Sequence, residues 1–190
     1  MDEVTQFFRA KISAHLQINY TVGKNQPFAW VIPHMGPRGK FYLGRSFFTP
    51  LNFDLNVKDN IGSTAFHLAC QSGNPTTVEL ILDFSKISDA IDLNATDNAG
   101  KTGFHLACDY GPTETVKLIL NFSKENDAID LNATDFEAMT GFHWACRNGQ
   151  TEIVNLILDF SQENKSIDLN ARDRQGKTGF TWLAISTSYC

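Results

Sequence analysis

The chain has 190 residues, of which 42% are hydrophobic and 19% are charged, a composition typical of a soluble folded domain. No apolar run approaches the roughly 18 residues that a membrane-spanning helix needs, so no membrane span is predicted. The formal net charge is −5, but residues 1–58 hold seven Lys/Arg and three Asp/Glu, whereas residues 59–190 hold nine and eighteen. Because an acidic segment repels phosphate backbones, nucleic acid is not expected as a partner. A protein partner with a basic segment, or this chain's own basic amino terminus, fits better.

Residues 1–52 form an amino-terminal extension with two different patterns. Its first part places five apolar residues on one helical face and predicts a helix over residues 2–16: Val4, Phe7, Phe8, Ile12 and Leu16. This helix is interpreted as a cap on the apolar end of the following repeats, with a membrane-surface or targeting helix as the alternative. The remainder is rich in Gly, Pro and aromatic residues and is predicted to be irregular. Because the beginning lacks the apolar stretch of a secretory signal, a cytoplasmic location is expected, and the nucleus remains open.

From Phe53 onward the sequence repeats with a period of 38 residues. The motif Phe-His-Leu/Trp-Ala-Cys begins at residues 66, 104 and 142, and a diverged copy, Phe-Thr-Trp-Leu-Ala, begins at residue 180. The units start near Asp59, Asp97, Asp135 and Asp173. Three units are complete, and the fourth is truncated. A fixed period of this size predicts a solenoid of stacked repeats.

These motifs resemble the ankyrin repeat, in which an Asp and a Gly form a hairpin, Thr-x-x-His-x-Ala opens a helix, and a Gly turn leads to a second helix. The resemblance covers residues 53–190. It implies an all-α solenoid of stacked helix-turn-helix units with short β-hairpin-like loops. It also implies that each His hydrogen-bonds its own Thr and the backbone of the adjacent hairpin.

Three departures from the family pattern lead to structural predictions. Ala138 replaces the Gly of the turn, so the third hairpin is expected to be strained or remodelled and irregular. Ala65, Gly103, Gly141 and Gly179 replace the usual Pro after the Thr, so the array is expected to be less stable than an idealised one. The period exceeds the usual value of roughly 33 residues, which predicts a longer outer helix with its own Phe contact.

The residues that could carry chemistry recur once per repeat, which indicates structure. Each inner helix offers a His and a Cys three residues apart, such as His67 and Cys70, but a zinc site normally needs four converging ligands. A catalytic Cys-His pair would need a third, orienting group in a cleft. No nucleotide-binding or hydrolase motif occurs. The chain is therefore interpreted as a non-enzyme without catalytic, cofactor-binding or metal-binding residues, and its repeated cysteines are predicted to be reduced and buried.

The resemblance implies a concave recognition face formed by the hairpin tips and the exposed side of the inner helices. The candidate partner-binding residues on it are Asn98, Lys101, Asp109, Tyr110, Phe136, Glu137, Met139, Arg147 and Arg174. Tyr110, Phe136, Met139 and Arg147 are of the types enriched at interface centres, although Phe136 and Met139 could instead fold onto the adjoining hairpin. Trp144 and Trp182 stand at the position of a Leu in the earlier repeats, which predicts core packing.

The function expected from these observations is a non-catalytic protein–protein interaction module. It would act as an adaptor, inhibitor or targeting subunit that docks a protein segment on its concave face. The alternative is a regulatory ankyrin fragment of a larger enzyme or channel chain. A monomer is expected, with association through the truncated fourth repeat as the other possibility. The resemblance also makes Asn94, Asn132 and Asn170 candidate acceptors for asparaginyl hydroxylation.

Overall fold

The computed structural model describes residues 54–87, 90–164 and 166–188, and seven helices lie within these ranges. In chain order they are α1 (Ala65–Ser72), α2 (Pro75–Ile87), α3 (Gly103–Tyr110), α4 (Thr113–Glu125), α5 (Gly141–Arg147), α6 (Thr151–Asn164) and α7 (Gly179–Thr187). No strand occurs in the described residues, and the predicted all-α solenoid is confirmed. The predicted capping helix over 2–16 and the irregular segment after it lie outside the described residues.

The helices form two layers that are continuous from repeat to repeat. The inner helices α1, α3, α5 and α7 pack against one another in that order, and so do the outer helices α2, α4 and α6. The core between the layers is one apolar cluster that contains Val116 and Ile119 of α4 and Ile157 of α6, all fully buried. Each repeat is therefore stabilised mainly by its neighbours, as in other solenoids.

Each of the first three inner helices begins with a Thr that is joined to the His three residues later. In the second repeat, the backbone N–H of Thr102 donates to Nδ1 of His105 at 3.1 Å, and the two residues form a reciprocal capping box. Nε2 of His105 lies 3.0 Å from the carbonyl oxygen of Met139 in the next hairpin. Because a carbonyl only accepts hydrogen bonds, Nε2 carries the proton. Burial lowers the pKa of His105, although the Met139 carbonyl and Asp135 oppose the change.

The same contacts recur at the neighbouring histidines. Nε2 of His67 lies 2.9 Å from the Lys101 carbonyl oxygen, and Nε2 of His143 lies 3.2 Å from that of Lys177. The role that the resemblance implied for these histidines is confirmed. Each imidazole links the start of its own helix to the backbone of the following repeat.

The third hairpin is not irregular, and that prediction is wrong. Ala138 adopts φ 58° in the left-handed region, and its N–H donates to the Asp135 carbonyl at 2.9 Å. Gly100 and Gly176 have φ 79° and 75° and make the same bond to their own Asp. The Asp135 carboxylate also accepts the N–H of Glu137, so the turn keeps its shape. The conformational strain predicted for Ala138 is present in its positive φ.

A Phe of each inner helix occupies the space that a Gly leaves on the next inner helix. The pairs of this Phe–Gly interlock are Phe66–Gly103, Phe104–Gly141 and Phe142–Gly179, and a Cβ added at these glycines would lie 2.6, 2.6 and 2.5 Å from the ring of the preceding repeat. All three rings are buried. The glycines that replace the usual Pro therefore permit close packing between repeats, where any side chain would collide with a ring.

The outer helices are longer than the inner ones, as the extended period predicted. Helices α2, α4 and α6 have 13, 13 and 14 residues, against 8, 8 and 7 for α1, α3 and α5. Their added turns bury Phe84, Phe122 and Phe160. Lys124 of α4 forms an ion pair with Glu163 of α6. The insertion is thus a packed part of each outer helix, and this prediction is confirmed.

The last described repeat leaves an apolar surface open. Phe180 is 44% exposed, whereas Phe66, Phe104 and Phe142 at the same position are at most 2% exposed. Leu158 of α6 is half-buried, while the equivalent Leu82 and Leu120 are buried. The outer face of the third repeat is therefore covered less completely than the outer faces of the first two.

Candidate functional site

The inner face is the surface formed by the hairpin tips and the adjoining side of the inner helices, and the resemblance implied that this surface is concave. Neighbouring hairpins are joined along it by backbone hydrogen bonds. The N–H groups of Asn98, Phe136 and Arg174 donate to carbonyls of the preceding hairpin at 3.0, 3.1 and 3.0 Å. These bonds fix the spacing of the tips, so side chains on successive hairpins are held at defined positions.

Two tryptophans are fixed against the bases of the last two hairpins. The indole N–H of Trp144 donates to Asp135 Oδ2 at 2.9 Å, and that of Trp182 donates to Asp173 Oδ2 at 2.8 Å. Both rings are half-buried and pack partly against the core. The predicted core packing is therefore only part of the role of these two tryptophans. The other part is the hydrogen bond, which a Leu at this position could not make.

Cationic side chains lie over both indoles. The Nζ of Lys101 is 3.4 Å from the centroid of the Trp144 ring, and the Nζ of Lys177 is 4.0 Å from that of Trp182. The guanidinium carbon of Arg147 lies 5.1 Å from each of the two centroids. These distances are those of cation–π contacts. We call the five residues Lys101, Trp144, Arg147, Trp182 and Lys177 the cation–indole ladder.

One end of the ladder is anchored by a buried ion pair. The Nζ of Lys101 lies 2.6 Å from Asp109 Oδ2, and Asn148 Nδ2 donates to Asp109 Oδ1 at 2.6 Å. Asp109 is 5% exposed. Its prediction as an accessible partner-binding residue is wrong, because its carboxylate is needed to hold Lys101 and the following repeat in place.

Met139 is also placed differently from the prediction. It is 2% exposed because it stands where the hairpin returns to the helix, where its N–H donates to Asp135 Oδ1 and its carbonyl accepts from His105. Its sulfur lies 3.8 Å from Nη1 of Arg147. Met139 is thus a supporting residue beneath the inner face, and a partner cannot reach most of its side chain.

The other predicted residues lie on the accessible surface. Tyr110 and Phe136 are each 60% exposed, and Asn98, Glu137, Arg147 and Arg174 are exposed as well. The Phe136 ring rests on the neighbouring hairpin, since a Cβ added at Gly100 would lie 2.7 Å from it. Phe136 therefore contacts the adjoining hairpin, as the alternative interpretation predicted. It still exposes most of its surface to solvent.

A cavity of about 240 Å³ opens beside the ladder between the third and fourth hairpins. Its lining includes Arg147, Trp182, Asp173, Glu137 and Arg174. Burial alone would raise the pKa of Asp173. The N–H groups of Lys177, Trp182 and Gln175 outweigh burial and hold this pKa below its ordinary value. The carboxylate beneath Trp182 is therefore charged.

The repeated cysteines are buried free thiols, as predicted. Burial raises the pKa of Cys146 to about 12 and that of Cys70 further, so both stay protonated and unreactive. Within the described ranges, no three His, Cys, Asp or Glu side chains come together in a way that could hold a metal ion.

The candidate hydroxylation sites differ in their contacts. The Asn132 amide bridges to the next repeat, donating to the Ser166 carbonyl at 2.6 Å and accepting from the Asp168 N–H at 2.8 Å. The Asn94 amide makes the equivalent two bonds. Asn170 is exposed, and its amide makes no side-chain hydrogen bond with the described residues. Hydroxylation of all three stays a prediction.

Comparisons with known proteins agree with the repeat structure. A family model described as ankyrin repeats in three copies matches residues 40–135, just over half of the chain, and a second, described as an ankyrin repeat, matches residues 138–171. The first match begins ahead of the predicted boundary at residue 53. A search of curated proteins finds no match. None of the helices in the described part of the chain is long and apolar enough to cross a membrane.

Proposed function

We propose, because this chain belongs to the ankyrin-repeat family, whose repeats generally mediate protein–protein interaction, that it is a non-catalytic module which binds a protein segment on its inner face. The observation that carries this proposal is the cation–indole ladder beside an open cavity. Trp, Tyr and Arg are the residue types that dominate binding energy at interfaces. Here they are gathered on one face of the second, third and fourth repeats.

The ladder suits binding because its side chains are held before a partner arrives. Each indole is fixed by a hydrogen bond to a buried Asp, and Arg147 lies between the two rings. Ordering a flexible side chain at an interface costs about 0.5–1.5 kcal/mol. The contacts of Arg147 with both indoles already order its side chain, so binding a partner costs less. Tyr110 and Phe136 add exposed aromatic surface at the edge of the same face.

A role as an adaptor, inhibitor or targeting subunit follows if the bound segment belongs to a separate protein. A role as the regulatory part of a larger enzyme or channel is the second proposal, and the exposure of Phe180 supports it. Its equivalents in the other repeats are covered by a following helix. A location in the cytoplasm or nucleus is supported by the three free, buried thiols.

The proposed function is tested by affinity capture from cell lysate with three forms of the chain. The Tyr110→Ala/Phe136→Ala variant removes exposed aromatic surface without touching the helix starts. The Lys117→Ala/Asn121→Ala variant is the matched control, because both residues are exposed on the outer helix α4. Circular dichroism first establishes that all three are equally folded.

The expected result is at least one protein retained by the wild type and the control and lost from the inner-face variant. Equal capture by all three forms would place the binding surface elsewhere and reject the proposal. The second role is tested on the same preparations by sedimentation, because a regulatory part separated from its larger chain should associate through the exposed Phe180. A stable monomer at every concentration would contradict this second role.

A further inference from the structure

The acidic net charge of the array does not describe its inner face. Residues 59–190 carry nine more acidic than basic residues, but the outer helices account for many of the acids, among them Glu79, Asp83, Glu114, Glu152 and Asp159. The total charge alone predicts a partner with a basic segment. The position of the charges leads to a different expectation for the third and fourth repeats.

The exposed charge around the cavity is cationic. Among the residues that line the cavity, Arg147 and Arg174 are exposed and form no ion pair with any described residue, whereas Glu137 is the single exposed carboxylate. Asp173 is buried there, and its carboxylate already accepts the N–H groups of Gln175, Lys177 and Trp182. Its capacity for hydrogen bonds is thus largely used within the protein.

Arg147 is held in a manner that leaves it able to bind a carboxylate. Its guanidinium lies between two indoles, and an Arg stacked on aromatic faces can still pair with a carboxylate through its N–H groups. Arg174 lines the same cavity from the fourth hairpin. The cavity of about 240 Å³ is below the roughly 300 Å³ at which small-molecule pockets begin. It therefore suits one side chain of a bound peptide.

We infer that the inner face of the third and fourth repeats binds an acidic peptide segment, with an Asp or Glu side chain entering the cavity to pair with Arg147 and Arg174. This inference rests on the proposed function and specifies the chemistry of its partner. Apolar side chains of the segment pack on Tyr110 and Phe136. A long polyanion such as nucleic acid is repelled by the acids of the outer helices, and a basic segment is repelled by the ladder itself.

The test is selection of a random-peptide display library on the full-length chain, followed by sequencing of the enriched peptides. The expected result is enrichment of Asp and Glu over the unselected library. Selected peptides are then titrated against an Arg147→Gln/Arg174→Gln variant. Because hydrogen bonds to charged groups contribute about 1.5–3 kcal/mol, binding should weaken about 10- to 100-fold. It should also weaken in about 0.5 M salt, which screens charges.

Two controls keep the outcomes distinct. Lys86→Gln/Lys117→Gln removes the same charge from exposed ion pairs on the outer helices and should leave peptide binding unchanged. Arg174→Gln alone removes a side chain without partners among the described residues, so it tests the site even if the double variant folds poorly. Selection of basic or uncharged peptides that still lose binding in Tyr110→Ala/Phe136→Ala overturns the inference and leaves the proposed function standing. Peptides insensitive to every inner-face variant, or no enriched peptide, overturn both.

Discussion

Replacing Ala138 by Gly should stabilise the protein, because Ala138 is the one non-glycine residue with positive φ in the described part of the chain. An L-residue in the left-handed region costs roughly 1–2 kcal/mol. A Gly relieves this strain but adds about 0.4–1 kcal/mol of unfolded-state entropy that folding must overcome. The difference predicts a gain of about 0.5–1 kcal/mol in the free energy of unfolding.

The same turn position supplies two matched controls. Gly176 has φ 75°, and a Cβ added there would meet nothing within 4 Å, so Gly176→Ala isolates the backbone term and should destabilise by about the amount that Ala138→Gly gains. Gly100 has φ 79°, and its added Cβ would lie 2.7 Å from the Phe136 ring and 2.9 Å from the Phe136 backbone nitrogen. Gly100→Ala should therefore cost clearly more than Gly176→Ala.

The assay is urea unfolding followed by circular dichroism, with midpoints compared at equal slope, since a change in midpoint alone reports a change in stability. The order of stability should be Ala138→Gly, wild type, Gly176→Ala, Gly100→Ala. A loss of stability in Ala138→Gly, or an unchanged midpoint in Gly176→Ala, would refute the assignment of strain to this position.

Three further predictions use the same unfolding assay. Asn132→Ala loses two hydrogen bonds to the next repeat and should cost about 1–2 kcal/mol, while Asn170→Ala should be near neutral; equal losses would contradict the bridging role. Thr115 buries a hydroxyl without a partner where the third repeat has Ile153, so Thr115→Val should stabilise by about 1 kcal/mol, and a loss would reveal a missed partner. The pKa of His105 is lowered in the folded protein. Its contribution to the free energy of unfolding is therefore complete above about pH 6.5, the pKa of an unfolded His, and is lost as the pH falls below that value. The urea midpoint of the wild type should therefore drop between about pH 7.5 and pH 5.5. The His105→Gln variant should be less stable at neutral pH, but its midpoint should drop less over this range. An equal drop in both would exclude the His105 imidazole as the cause.

The repeat architecture could be predicted because each element is written several times in register. The longer outer helix and its buried Phe122 were expected because the extra residues recur in every complete repeat. The His that joins a helix start to the next hairpin was implied by the resemblance to the ankyrin repeat. In-register copies report what is equivalent between repeats. They therefore indicate structure reliably wherever every copy performs the same task.

Contacts between non-equivalent positions could not be found in this way. Phe104 packs on Gly141, which is one position earlier in the motif of the next repeat, so an alignment of repeats shows two separate columns and no pair. Similarly, the Leu at the position of Trp144 in the earlier repeats predicted only core packing for Trp144, because an alignment of repeats compares the size and polarity of side chains. Its hydrogen bond to Asp135 and its stacking with Lys101 depend on the shape of the hairpin. Met139 was predicted to be a tip residue, although the hairpin has already returned to the helix at that position.

The Phe–Gly interlock also limits how an array of this kind can lengthen through duplication of its coding sequence. A unit that begins with glycine after its Thr can be copied behind any unit that carries the Phe, because the new boundary reproduces an existing one. The unit that begins with Ala65 cannot be inserted there, since its methyl group would meet a ring at about the 2.6 Å found for Gly103 and Gly141. The units are consequently not interchangeable, and growth by recombination is restricted to the glycine-bearing copies.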